Sequence, residues 1–189
     1  MIVGVDIDNV ISDTEREVRR VLGADRGVSL VREDFRHYAL EKMPGLSKED
    51  LDYILARFRD GSIFLNVPVI DGAQETLNRL TARHRVVLVT SRPPSVEGYT
   101  REWLEKNRVP FHELHFTPET KVNGIQYDLF IEDQDNFACE IADSGSYVLL
   151  YDAPWNRHVS RDGIERVFSW EDIDRFCFPP CATGHGKAK

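Results

Sequence analysis

The sequence predicts an α/β fold in which a small helical cap is inserted after the first strand of a parallel sheet. From residue 69 onward, short apolar runs alternate with helical patterns, and this alternation is typical of parallel sheets with right-handed crossovers. The apolar run at residues 2–5 ends in acidic residues, which suits a central parallel strand. The segment from about 14 to 67 breaks the alternation and is largely helical.

The individual elements follow from capping residues and apolar spacing. Ser12 and Glu15 form a capping-box pair that predicts a helix from about residue 13 to 22, with Gly23 as its C-cap. Ser47 predicts the start of a second helix with an apolar face. The later elements are predicted as a helix capped by Asp71 and Gln74, a strand at 86–89, a helix at about 97–106, a weak strand near 112–116, a strand at 129–131, a helix at about 136–143, and strands at 147–150 and 166–168.

These elements predict three parts of the chain. Residues 1–13 and 68–176 form the core domain, and residues 14–67 form the helical cap. Residues 177–189 contain turn-forming residues without periodicity, which predicts a flexible tail.

Composition limits the cellular setting and the partners. No window holds 18 consecutive apolar residues, and the N-terminus lacks the basic region and cleavage site of a signal peptide. The three cysteines have no disulfide-type spacing. We therefore expect a cytoplasmic protein without a membrane partner, as a monomer or homodimer.

The formal net charge of −8 argues against binding to a nucleic-acid polymer, which requires a basic face. The same net negative charge is unfavourable for binding phosphate, which is itself an anion. Positive charge must then be concentrated locally, through a metal ion, a few cations or helix N-termini.

The first chemical signal is a pair of carboxylates, Asp6 and Asp8, at the carboxyl end of the first predicted strand. In open α/β sheets this edge faces the ligand-binding crevice, and strand alternation places both side chains on one side. Two such charges repel unless a cation or a shared proton relieves them. Mg²⁺ fits this role because it prefers oxygen ligands. Alone, the pair is equally compatible with a simple strand end.

Similar signals follow at three later positions. Thr90 and Ser91 follow a buried strand, where a hydroxyl and free backbone N–H groups can hold a phosphoryl oxygen. Lys121 precedes the next strand, where an ammonium group can neutralise phosphate. Glu132 and Asp133 end that strand and offer further metal ligands. Singly, these residues are also compatible with a turn, a surface lysine and a strand end.

Together, these residues resemble the four motifs of the haloacid dehalogenase (HAD) superfamily of phosphotransferases, in the expected order. The resemblance narrows to the 5′(3′)-deoxyribonucleotidase branch and its bacterial relatives over roughly residues 1–158. The segments that carry it are Phe64–Ala73, Thr90–Pro93, Phe130–Asp133 and Asp152–Arg157. Human-type members pair two aspartates where this chain has Glu132 and Asp133, so the resemblance leaves open which acid binds metal directly.

The resemblance implies a Rossmann-like core, a small helical cap and Mg²⁺-dependent hydrolysis of a phosphate monoester through an aspartyl-phosphate. The nucleophile would be Asp6, and Asp8 would be the acid–base. The implied catalytic residues are Asp6, Asp8, Thr90 and Lys121; the implied metal ligands are Asp6, Asp8, Asp133 and Glu132; the expected substrate-binding residues are Asn9, Phe64, Ser91 and Arg92.

The expected substrate is a (deoxy)nucleoside monophosphate, with leaving-group selectivity supplied by the cap. Phe64 is the main candidate to contact the base, and Phe58 is expected in the core. Two other functions remain open: hydrolysis of another small ester such as a sugar phosphate, and non-catalytic binding by a protein with the same fold.

Overall fold

The computed structural model describes residues 1–179, in which six parallel strands form one sheet with helices on its faces. The strands are β1 (Ile2–Val5), β2 (Arg85–Thr90), β3 (Glu113–Phe116), β4 (Leu129–Glu132), β5 (Tyr147–Tyr151) and β6 (Ile164–Val167). The helices are α1 (Thr14–Arg26), α2 (Lys48–Asp60), α3 (Ala73–Thr81), α4 (Glu97–Lys106), α5 (Asp135–Asp143) and α6 (Trp170–Cys177).

The strand order β3-β2-β1-β4-β5-β6 confirms the predicted Rossmann-like core. Val5 of β1 is in register with Leu88 of β2 on one side and with Ile131 of β4 on the other. Strand β1 is therefore central, and the chain changes direction across the sheet after β3. The carboxyl ends of β1, β2 and β4 consequently meet at one edge, where open α/β sheets bind ligands.

Both faces of the sheet are buried. Val5 and Leu88 belong to a core cluster that includes residues of α3, α4 and α6, whereas Val87 and Phe130 belong to a cluster on the opposite face with residues of α5. Alternation along the strands sends successive side chains to opposite faces. This two-sided burial explains why the strands are apolar runs and lack an alternating polar pattern.

The inserted segment has a hydrophobic cluster of its own. Val18 and Leu22 of α1 pack with Ile54 of α2 and with Phe64, and this cluster meets the core domain at Val96 and Trp155 among others. The arrangement supports the predicted cap of residues 14–67. The domain boundaries themselves stay a prediction.

Two linkers join the cap to the core, and they lie side by side. Asp13 donates its backbone N–H to the carbonyl of Pro68 (2.9 Å), and Ile70 donates to the carbonyl of Ile11 (2.8 Å). Each linker is also held by a buried indole from the core: Trp170 Nε1 donates to Val10 O (2.7 Å) and Trp103 Nε1 donates to Val67 O (2.8 Å). The two chain connections between the cap and the core are thus adjacent and anchored.

Helix α1 differs from its prediction at both ends. The Ser12–Glu15 capping box does not form, because Ser12 Oγ donates to the carbonyl of Ile7 (3.0 Å). The backbone N–H of Glu15 is instead accepted by the side chain of Asn9 (2.8 Å). The helix continues past Gly23 to Arg26, because Gly27 is the residue that adopts the left-handed conformation of a C-cap.

The predicted cap of α3 is also wrong. Gly72, with φ of 83°, is the residue before the helix, and neither Asp71 nor Gln74 supplies a side-chain cap. The prediction for α2 is confirmed, because Ser47 Oγ accepts the backbone N–H of Asp50 at 3.1 Å.

None of the helices in the described part of the chain is long and apolar enough to cross a membrane. Cys139 and Cys177 are free thiols. Residues 180–189, which make up most of the predicted tail, lie outside the described residues.

Gly4 in β1 is predicted to be irreplaceable, since a Cβ atom there would lie 2.2 Å from a ring carbon of Phe130. We expect Gly4→Ala to lower the free energy of unfolding by about 1–3 kcal/mol, as overpacking does. The matched control is Gly98→Ala in α4, where a Cβ atom would meet nothing within 4 Å. This substitution should stabilise the helix by up to about 1 kcal/mol. Urea denaturation of both variants checks this; equal effects of the two would contradict it.

Candidate active site

The predicted site residues converge at the carboxyl edge of the sheet. Asp6 directly follows β1, and its backbone N–H donates to the carbonyl of Ile131 (3.0 Å). Thr90 is the last residue of β2, and Glu132 is the last residue of β4. Because β1 lies between β2 and β4, the three strand ends place these side chains around one point.

Three carboxylates form a compact buried cluster there. Asp6, Glu132 and Asp133 each offer an oxygen, and these oxygens lie within 4.8 Å of one another. Asp6 is 4% exposed, and Glu132 and Asp133 are each 1% exposed. Such crowding of like charges requires a cation or bound protons, so this cluster is the candidate metal site.

Lys121 supplies a cation from the protein itself. Its Nζ donates to a carboxylate oxygen of Asp6, lies 3.1 Å from Glu132 Oε2, and donates to the carbonyl of Val89 at 2.9 Å. Burial alone would lower the pKa of Lys121, but the negative charges of Asp6 and Glu132 raise it overall. The ammonium group is therefore charged, and it concentrates positive charge in a protein of net charge −8.

The pKa values of Asp6 and Asp133 are also raised, which for a carboxyl group disfavours the charged form. Burial raises the pKa of Asp6 to about 7, although the charge of Lys121 opposes the shift. Burial, followed by the charges of Glu132 and Asp6, raises the pKa of Asp133 well above its ordinary value. The charge of a single lysine therefore does not offset the burial and mutual repulsion of these carboxylates.

Asp133 is oriented with one oxygen available. Its Oδ2 accepts a hydrogen bond from Asn9 Nδ2 (3.3 Å), whereas its buried Oδ1 has no hydrogen-bond partner among residues 1–179. The backbone carbonyl of Asp133 is held by Trp155 Nε1 (3.0 Å) and by Asn156 Nδ2 (2.7 Å). A fixed backbone and a buried free oxygen are the features expected of a metal ligand.

Glu132 is held differently from its neighbour. Its Oε1 accepts the backbone N–H groups of Asp133 (3.1 Å) and Gln134 (3.0 Å), and its other oxygen faces Lys121. These contacts fix the turn after β4 and the position of the ammonium group. Glu132 Oε2, like Asp133 Oδ1, has no hydrogen-bond partner among residues 1–179 apart from the ion pair with Lys121, so each acid keeps one oxygen that could bind a metal.

Asp8 lies apart from the cluster, on the wall of the neighbouring pocket. Arg92 donates to it with two nitrogens, from Nε to Oδ2 and from Nη2 to Oδ1, both at 2.8 Å. The hydroxyl of Thr14 also donates to Oδ1. Burial would raise the pKa of Asp8, but the charge and hydrogen bonds of Arg92 outweigh it and lower the pKa.

Asn9 links the start of α1 to the carboxylate cluster. It has a left-handed backbone (φ 58°), which asparagine tolerates better than most residues. Its side-chain oxygen accepts the backbone N–H of Glu15 in the first turn of α1, while its amide nitrogen donates to Asp133. One side chain therefore sets both the first turn of the cap and the orientation of a candidate metal ligand.

A pocket of about 580 Å³ opens beside the cluster, between the cap and the core. Its volume lies within the usual range for small-molecule sites. All four residues predicted to bind substrate line it, and the cap contributes aromatic and aliphatic side chains together with Glu41 and Arg59. The predicted residues are Asn9, Phe64, Ser91 and Arg92, and the other aromatic residues are Phe35, Tyr38, Phe58 and Trp155.

Two residues of the pocket differ from expectation. Phe58, expected in the core, also faces the pocket. Phe64 is only 2% exposed, and the guanidinium of Arg92 lies 3.8 Å from its ring centroid. Phe64 thus presents little free surface to a ligand.

Sequence reasoning missed the contacts that orient the site. Trp155 and Asn156 were noted only as part of a family resemblance, yet both bond the carbonyl of Asp133. Thr14 contacts Asp8, and the sequence pattern places it in the first turn of a helix without indicating this contact. The run Ala153–Asn156 after a buried strand is the available signal, because an asparagine amide and an indole N–H can both donate hydrogen bonds to backbone carbonyls.

Comparison with known proteins agrees with this geometry. A family model described as 5′ nucleotidase, deoxy (pyrimidine), cytosolic type C matches residues 1–178. A presumed nucleotidase of Halalkalibacterium halodurans is 26% identical over 174 residues, covering 89% of this chain and 88% of the relative. A 5′(3′)-deoxyribonucleotidase of Bacillus subtilis is 25% identical over 183 residues, covering 92% and 96%.

Solved structures show the same fold. A HAD-superfamily hydrolase of Geobacter sulfurreducens superposes with a TM-score of 0.58 at 16% identity, covering 93% of this chain and 95% of that one. A HAD hydrolase of Bacillus subtilis, described as bound to magnesium, gives a TM-score of 0.59 at 13% identity, covering 93% and 97%. The architecture is therefore that of the HAD superfamily.

The buried ion-pair cluster predicts a strong effect on stability. In buffer with a chelator, Lys121→Met should lower the free energy of unfolding by about 3–5 kcal/mol, because it leaves buried carboxylates without their cation. Lys42→Met, at an exposed position, should change it by no more than about 0.5 kcal/mol. Urea denaturation measures both. A Lys121 variant as stable as the Lys42 control would show that the ammonium does not balance the cluster.

Proposed function

The chain belongs to the family of cytosolic type C 5′ (pyrimidine deoxy) nucleotidases, and from this membership we propose that it is a Mg²⁺-dependent phosphomonoester hydrolase with Asp6 as its nucleophile. The proposed substrate is a (deoxy)nucleoside 5′-monophosphate. The nucleotidase names of its relatives support this substrate class. The alternative is another small phosphate ester, such as a sugar phosphate.

One observation carries the proposal: the carboxylate of Asp6 lies against the ammonium of Lys121 and among two further buried carboxylates, at the ligand-binding edge of the sheet. A carboxylate that only stabilised the fold would be fully paired. Here burial raises the pKa of Asp6 to about 7 despite Lys121, and perturbed groups of this kind concentrate at functional sites.

The residues present fit a divalent metal. Asp6 and the free Oδ1 of Asp133 would hold it together with the backbone carbonyl of Asp8, while Asn9 and Glu132 orient the ligand set. All these donors are oxygens, as Mg²⁺ prefers. When bound, Mg²⁺ supplies charge stabilisation to the phosphoryl group and relieves the repulsion between the carboxylates.

In the proposed first step, a carboxylate oxygen of Asp6 attacks phosphorus and the bond from phosphorus to the ester oxygen breaks. Asp8, which enters this step in its protonated form, transfers its proton to that leaving oxygen, so the product leaves as a neutral alcohol and Asp8 is left as a carboxylate. Lys121 and the hydroxyl of Thr90 hold the phosphoryl oxygens, where charge accumulates.

In the proposed second step, a water molecule attacks phosphorus of the aspartyl-phosphate and gives a proton to Asp8. The bond between phosphorus and Asp6 breaks, which releases inorganic phosphate and restores both carboxyl groups. Asp8 can serve both half-reactions because it lines the pocket in which the leaving alcohol and the attacking water would lie.

The pocket supports a nucleoside as the leaving group. It is lined mainly by apolar and aromatic side chains of the cap, and it opens next to Asp8. Aromatic surface suits stacking on a base, whereas a small sugar offers mostly hydroxyl groups that such walls leave without partners. Tyr38 and Phe58 are the proposed contacts to the base.

The substrate assignment is tested by steady-state hydrolysis with Mg²⁺. We expect kcat/KM for dUMP or dTMP to exceed that for glucose 6-phosphate by at least about tenfold, which corresponds to about 1.4 kcal/mol of leaving-group recognition. A preference for the sugar phosphate would leave the chemistry in place and overturn the nucleotide assignment.

The nucleophile is tested in the same assay. Asp6→Asn should retain the fold and fall below about one-thousandth of wild-type turnover, because the amide cannot form the aspartyl-phosphate. Asp143→Asn, at an exposed position near the end of α5, should be unchanged. Unimpaired hydrolysis by Asp6→Asn would reject Asp6 as the nucleophile.

A further inference from the structure

Arg92 is a buried cation outside the carboxylate cluster, and its side chain is 2% exposed. Its Nε and Nη2 donate to the two oxygens of Asp8 at 2.8 Å each, and its Nη1 lies 3.2 Å from Thr100 Oγ1. A two-point contact between a guanidinium and a carboxylate fixes direction as well as distance. The plane of the Asp8 carboxylate is therefore set by Arg92.

The position of Arg92 is fixed in turn by two elements. Thr100 belongs to α4 of the core, and its hydroxyl is anchored on the carbonyl of Val96 at 3.1 Å. Phe64 lies in the turn Ser62–Asn66, which ends the cap immediately before the second linker. The guanidinium stacks on the Phe64 ring at 3.8 Å from its centroid, a cation–π contact in a desolvated setting.

Phe64 is itself held in place. Its ring meets Phe58 edge-on, with centroids 5.7 Å apart, and it is almost completely buried. An aromatic residue that stacked on a substrate base would need an open face. Phe64 instead provides a rigid ring over which the guanidinium of Arg92 lies.

We propose that Arg92 is a positioning residue that aims the carboxyl group of Asp8 at the leaving oxygen, and that Phe64 acts on the reaction through Arg92. The inference rests on the proposed function, because that function gives Asp8 its acid–base role. It also departs from the sequence expectation, in which Arg92 and Phe64 contact the substrate themselves.

Positioning of an acid has a distinctive kinetic consequence. An alkyl ester has a poor leaving group and depends on proton transfer, which typically contributes about 10²–10⁴-fold. An aryl ester such as p-nitrophenyl phosphate has a leaving group that departs without a proton. Loss of Asp8 orientation should therefore slow the first ester much more than the second. A residue that contacts the phosphoryl group would affect both esters equally.

The test compares kcat/KM for dUMP and p-nitrophenyl phosphate, because kcat/KM reports the first irreversible step. We expect Arg92→Lys, which keeps the charge and removes the two-point contact, to lose about 10–100-fold with dUMP and less than about threefold with p-nitrophenyl phosphate. Inorganic phosphate as a competitive inhibitor should bind Arg92→Lys and wild type with the same inhibition constant.

Two further variants keep the test decisive. Phe64→Leu leaves Arg92 in the chain, and it should show the same selective loss at a smaller size. Arg20→Lys is the matched control, because Arg20 also makes a two-point contact with a carboxylate, that of Glu17 (2.8 and 2.7 Å), at a position that does not line the pocket. This control should leave both esters unchanged, and thermal unfolding should show that all three variants are folded.

The outcomes separate the two proposals. If wild type hydrolyses neither ester, the proposed function fails. If wild type hydrolyses both esters and Arg92→Lys loses equally with both, or binds inorganic phosphate more weakly, the positioning role is overturned while the hydrolase assignment stands. A selective loss with dUMP in both the Arg92 and Phe64 variants supports the inference.

Discussion

The constraint on which the site depends is an imbalance of buried charge. The carboxylates of Asp6, Glu132 and Asp133 surround one ammonium, that of Lys121. When all four groups are ionised, three negative charges and one positive charge give the site a net charge of −2. Burial in this site raises the pKa values of Asp6 and Asp133. One bound dication would restore neutrality. Folding therefore assembles a candidate metal site, which on the proposed function would also attract phosphate in a protein whose overall charge repels anions.

The topology of the sheet makes this crowding achievable. Because β1 lies between β2 and β4, the ends of three strands that are far apart in sequence meet at one edge. The crowded groups are then held by contacts to backbone: Asn156 bonds the carbonyl of Asp133, and Glu132 accepts backbone N–H groups of its own turn. Asp8, the proposed acid–base, lies outside this cluster and is paired with Arg92. Asp8 thus has one positive charge to itself, whereas Asp6, Glu132 and Asp133 share the single charge of Lys121.

Local sequence signals accounted for much of the fold and for the placement of the site. An apolar run that ends in Asp6 or Glu132 identifies a buried parallel strand and its functional edge together, so the convergence of these residues was predictable. Features that depend on tertiary contacts were not predictable from local sequence. Ser12 has the right spacing to cap α1, but Asn9 does so, because its left-handed backbone directs the side chain at Glu15. The pairing of Arg92 with Asp8 joins positions 84 residues apart and leaves no trace in local pattern.

The most direct test of the central claim is the binding of Mg²⁺ to the substrate-free protein by titration calorimetry. The account predicts one Mg²⁺ per chain for wild type and for Asp135→Asn, whose side chain lies next to the site in sequence but pairs with His158 on the surface. Asp133→Asn should weaken binding by at least about tenfold, because it removes the ligand with the free buried oxygen. Equal affinity in Asp133→Asn, or no binding by wild type, would contradict the account.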